Sequence, residues 1–85
     1  MPTISMFYGV IIRMYYDDNN PPHFHAFFGD YKAIFNFDGK ILEGTMPSSK
    51  KKLIIAWALI HKDELKANWQ LAKNSEILYN INPLK

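Results

Sequence analysis

Two turn dipeptides, Gly29-Asp30 and Asp38-Gly39, constrain this chain more than any other feature. Each is flanked by β-branched and aromatic residues, the pattern of a hairpin with a tight loop. If both loops hold two residues, Phe28 opposes Tyr31, Ala26 opposes Ala33, Phe24 opposes Phe35, and Phe35 opposes Leu42, all on one face of a sheet. Two independent turns then agree on one apolar surface. Phe24, Ala26, Phe28, Ala33, Phe35 and Leu42 are therefore expected beneath a helix, and the opposite face receives His23, His25, Phe27, Lys32, Ile34, Asn36, Ile41 and Glu43.

Upstream, "MFYGVIIRMYY" at 6–16 reads as one strand, with Met6, Tyr8, Val10, Ile12, Met14 and Tyr16 turned to the core. Its odd residues Arg13 and Tyr15 join the histidines' side. "DDNNPP" at 17–22 is a loop, because proline lacks a donor N–H and disfavours helix before it. From Pro47 the period becomes helical. Pro47 suits a first turn, Ser48 or Ser49 a cap, and Leu53, Ala56, Trp57, Ile60, Ala67 and Leu71 share a face. Leu65, Trp69 and Ala72 form a second stripe, and Glu64 interrupts the first. Either the helix breaks near 61–64, or both its sides are covered, the second by the tail, where Ile77, Tyr79 and Ile81 alternate in an extended segment. The expected fold is α+β and two-layered: a four-stranded antiparallel meander with a long, breakable C-terminal helix on one face and an extended tail.

Eighty-five residues, 48% hydrophobic and 15% aromatic, suffice for one core, so 1–85 reads as a single domain. The absence of cysteine excludes disulfides and thiolate metal sites, and is compatible with a reducing cytoplasm. No apolar run approaches the ~20 residues of a membrane span, and "MPTISMFYG" does not read as a leader; a soluble, cytoplasmic protein without a membrane partner is expected. A net charge of +2 is too small for a nucleic-acid footprint, and "SSKKK" reads as a solvated helical turn.

The chemistry concentrates in "NPPHFH". On a strand, His23 and His25 stand on one face about 7 Å apart. Three readings follow. A metal site would take His61, Asp63 or Asp17 as third ligand, but none has diagnostic spacing, so neither metal nor other cofactor is expected. A metal-independent RNA-cleaving site would use His23 and His25 to move protons, with Arg13 and Lys32 stabilising phosphorane-like charge and Tyr15 beside them. In the third, the histidines bond loop carbonyls, Asn68 and Trp69 close the helix onto the tail, and the domain acts by binding a partner. Trp57 and Trp69 read as core rather than base-stacking residues. Glu64 is expected to pair with Arg13, His61 or a lysine.

The order "MPTISMFYGVIIRMYYDDNNPPHFHAFFGDYKAIF", "DGKILEGTMP", "WALIHKDELKANWQLAK" and "INPL" resembles the bacterial family called domain of unknown function 4160. Its matching positions are Arg13, Tyr15, Pro21, Pro22, His23, Phe24, His25, Trp57, His61, Glu64, Leu65, Asn68 and Trp69. The lysine run departs from the mixed acidic and arginine residues expected before the helix. The resemblance implies a cognate small protein encoded nearby, as in toxin–antitoxin pairs. The chain is thus expected to be a toxin-like component of a two-gene module, acting on RNA or on a protein. The alternative is a non-enzymatic binding module, with Trp69, Asn68, His61 and Glu64 as binding residues and a homodimer through Phe27, Ile34 and Ile41.

Overall fold

The structure, a computed structural model, describes residues 2–85. Five antiparallel strands lie in sequence order: β1 (Thr3–Phe7), β2 (Val10–Arg13), β3 (His23–Phe28), β4 (Tyr31–Asn36) and β5 (Ile41–Gly44). Two helices, α1 (Ser48–Ile60) and α2 (Lys62–Lys73), cover one face, and residues 74–85 run on without regular structure. The architecture is the expected α+β meander with one strand more.

The extra strand comes from a turn at Tyr8-Gly9, where both residues have positive φ (49° and 81°). A two-residue loop with that geometry matches strand twist, but its first position usually holds Asn, Asp or Gly. The tyrosine hides it. β1 folds back so that Phe7 opposes Val10 and Met6 opposes Ile11, which ends the predicted even-numbered face at the turn. Val10, Ile12 and Met14 are buried, whereas Met6 and Tyr8 are exposed and Ile4 and Phe7 take the core positions of β1. Tyr16, beyond the end of β2, is exposed.

The β3–β4 hairpin has the expected register throughout, from Phe28 opposite Tyr31 to Phe24 opposite Phe35. Phe24, Ala26, Ala33 and Phe35 are buried, Phe28 is half-buried, and the Phe24 and Phe35 rings stack at 5.6 Å. The next turn differs. Asn36 N–H donates to the Lys40 carbonyl, and the Asn36 side-chain oxygen accepts from the N–H groups of Asp38 and Lys40, so the loop holds three residues, with Gly39 at φ 86°. This is the loop class that ends in a left-handed residue. Phe37, within it, is buried against Phe24 and Trp69. Phe35 consequently opposes Ile41 and Ile34 opposes Glu43, leaving Leu42 in a bulge. Ile41 packs on the core and Leu42 is exposed, the reverse of the expectation.

The long helix does break, at His61 (φ −108°, ψ 26°). The break rotates the buried face: α1 buries Ile54, Trp57 and Ala58, α2 buries Leu65, Asn68, Trp69 and Ala72. Of the predicted first stripe only Trp57 is fully buried; Leu53 and Leu71 are half-buried, and Ala56, Ile60 and Ala67 are exposed. Trp57 meets Phe7 and Phe24 at 5.4 and 5.5 Å, and its indole N–H donates to the Asn82 carbonyl. The tail is tied again where Ile81 N–H donates to the Ile4 carbonyl at 2.7 Å. Ile81 is buried, but Ile77 and Tyr79 face outward, so the tail docks through Leu78, Ile81 and Leu84. Among the described residues no helix is long and apolar enough to cross a membrane.

Candidate functional site

Strand alternation sets Phe24 into the core and leaves His23 and His25 on the other face of β3. β2 adds Arg13 directly opposite His25. The loop after β2 then folds back over the histidines, and Tyr15 meets the His25 ring edge-on at 4.4 Å. Asp18, farther along this loop, points one carboxylate oxygen, Oδ2, at both imidazoles, 3.0 Å from His23 Nε2 and 3.1 Å from His25 Nε2. The three ligand atoms lie within 4.8 Å of one another.

The surroundings hold these groups in place. His23 Nδ1 lies 2.7 Å from the Pro21 carbonyl, which can only accept, so that nitrogen carries a hydrogen. Lys73, in the last turn of α2, donates to the Asp18 carbonyl and lies 5.2 Å from the Trp69 ring centre. Trp69 meets the His23 ring at 5.3 Å. The side chains of His23, His25 and Asp18 are 12%, 14% and 22% exposed, so water reaches the cluster from one side. Burial pushes the His25 pKa below its ordinary value; Asp18 opposes this by hydrogen bond and charge, while His23 and Lys32 add to it.

Of the proposed catalytic set, the structure brings together His23, His25 and Tyr15. Arg13 is their neighbour, but its Nε donates to Thr3 Oγ1 and its guanidinium lies over Phe27. Lys32 opposes Phe27 and stands in solvent outside the cluster. The proposed binding set is scattered. Trp69 reaches the site through His23, Asn68 is buried beneath the tail, and His61 pairs with Glu64 at 2.6 Å at the helix break. None of His61, Asp63 and Asp17 joins the histidines; Asp18 does, and nothing in the pattern "DDNNPP" distinguishes it from its neighbour.

Fold and site together define a small α+β meander domain with a half-buried cluster of two histidines and one carboxylate. The chain belongs to the family described as Domain of unknown function (DUF4160), whose model matches residues 9–70, a span that includes the whole cluster and Trp69. No curated protein and no solved structure matches it.

Proposed function

We propose that this chain is a cytoplasmic protein-binding module, the toxin-like member of a two-gene pair, whose partner covers the outer side of α1. One observation supports this above others. Lys52, Ala56, Leu59 and Ile60 recur at the spacing of one helical face and are all exposed, Leu59 and Ile60 to 57% and 66%. A helix that is apolar on both sides is ordinarily covered on both sides. Lysines at its start favour a partner groove with an acidic rim. The homodimer face expected from Phe27, Ile34 and Ile41 has less to offer, since Ile41 turns inward and Arg13 lies over Phe27.

Metal-independent RNA cleavage is the second reading, favoured by a depressed His25 that is available as a base, with Arg13 and Lys32 on the same face. Its difficulty is Asp18. A phosphate bound between the imidazoles would face that carboxylate. Growth after induction separates the two readings, using Leu59→Glu and Ile60→Glu variants against His23→Ala and His25→Ala, all checked for folding by circular dichroism. Arrest lost only in the α1 variants, together with lost co-purification of the neighbouring gene's product, supports the binding module. Arrest lost only in the histidine variants, with RNA cleaved by purified protein in chelator, overturns it.

A further inference from the structure

We propose that Asp18, His23 and His25 bind one divalent first-row transition cation of the zinc class, through Asp18 Oδ2 and the Nε2 atoms of both histidines. The inference is independent of the partner on α1, and it departs from the sequence expectation of no metal.

The hydrogens at His23 leave room for a cation. A neutral imidazole has one N–H, and the Pro21 carbonyl at 2.7 Å takes it at Nδ1. In that neutral form Nε2 presents a lone pair to a carboxylate oxygen 3.0 Å away, so either a second proton on the ring or a metal cation has to lie between them. His25 Nε2 is hydrogen-bonded to the same oxygen at 3.1 Å, so both histidines aim one nitrogen at a single acceptor. One cation at the convergence point would take the place of those hydrogens and bind all three atoms at once.

Distances and ligand chemistry agree. Zinc bonds of about 2.0–2.2 Å in a tetrahedral site separate neighbouring ligand atoms by roughly 3.3–3.5 Å. The Asp18 contacts need to open by a few tenths of an ångström, and the imidazole nitrogens, within 4.8 Å of each other, can adjust to that spacing by side-chain rotation. Two imidazoles and one carboxylate suit zinc, cobalt or nickel; calcium and magnesium prefer all-oxygen shells.

The surrounding residues hold the ligands in place. A metal-binding histidine commonly donates its other ring N–H to a carbonyl, which fixes tautomer and orientation; Pro21 serves His23 in this way. Lys73 holds the Asp18 backbone from α2, and the Tyr15 ring packs against His25. Three protein ligands leave one position open to water or to a donor from another molecule, which distinguishes this from a closed structural site.

The test is titration of the whole chain, stripped with chelator, with cobalt(II) and then zinc(II). Cobalt should bind one to one, acquire visible absorption and quench the fluorescence of Trp69, whose ring touches His23. Zinc should displace it and raise the melting temperature. Asp18→Asn and His25→Ala should each weaken binding by at least about tenfold, while His61→Ala binds as wild type does. Circular dichroism in chelator checks that the variants fold. Failure of the wild type to form a one-to-one complex at millimolar metal overturns the proposal, and that arm depends on no variant. So does a complex that survives in Asp18→Asn and His25→Ala alike, or one lost in His61→Ala.

Discussion

Asn68 grips the backbone of Tyr79 with both ends of its amide: Oδ1 accepts from the Tyr79 N–H at 3.0 Å and Nδ2 donates to the Tyr79 carbonyl at 2.9 Å. Asn68 is 1% exposed, so this is the means by which α2 fastens the tail from inside the domain. Asn68→Ala removes two hydrogen bonds and leaves two backbone groups without their partner, a loss of about 2–3 kcal/mol. Urea unfolding should show it. Limited proteolysis should also begin to cut after Lys73, and a loss under about 1 kcal/mol would mean that Ile81 and the Trp57–Asn82 bond hold the tail without help.

The three-residue loop between β4 and β5 is tied to α2 by an ion pair between Asp38 and Lys62. The Lys62 hydrogen bond and charge hold the Asp38 carboxyl below its ordinary value of 3.8. In the window between the folded pKa and 3.8 the unfolded chain binds more protons than the folded one. The pair therefore contributes above that window and is lost as pH falls through it. Asp38→Asn should melt lower than wild type at about pH 6, converge with it in acid, and lose most of the difference in high salt, because both groups lie at the surface.

What could be read in the sequence followed from the turns that declare themselves. Gly29-Asp30 set the β3–β4 register and with it the separation of Phe24 from the histidines. Asp38-Gly39 marked a turn but not its length, because the inward packing of Phe37 depends on Trp69, distant in sequence. Tyr8-Gly9 was invisible, since tyrosine goes against the local preference for that backbone conformation. The site was half legible. Strand period placed His23 and His25 together, but the loop that delivers Asp18 is held by Lys73 of α2, and no local pattern encodes such a contact.

Tyr8 yields a prediction of its own. It has φ 49°, its side chain is 55% exposed, and the bond it receives from Lys50 goes to its backbone carbonyl. Asparagine accepts positive φ more readily than tyrosine and gives up no buried contact here. Tyr8→Asn should raise stability by roughly 0.5–1 kcal/mol in urea unfolding, the scale of other compatible turn substitutions. A decrease would show that the exposed ring contributes packing that outweighs the backbone gain.

Gly44 ends β5 where the bulge at Leu42 has brought the strand against β4, opposite Ala33. Its φ is 87°, in the left-handed region, and a Cβ built there would lie 2.2 Å from the Lys32 carbonyl oxygen and 2.9 Å from the Ala33 Cα. Both neighbours are backbone of a central hairpin, and the same Lys32 carbonyl accepts the Thr45 N–H at 3.1 Å, so neither can yield without breaking pairing. Gly44→Ala combines backbone strain of about 1–3 kcal/mol with that collision, and a total of roughly 3 kcal/mol or more is expected. Gly29→Ala is the control. Gly29 also has positive φ (56°), but nothing lies within 4 Å of the point a Cβ would occupy, so it should lose only the strain. If chemical denaturation finds the two variants equally destabilised, the close approach of β5 to β4 is not what requires glycine at position 44.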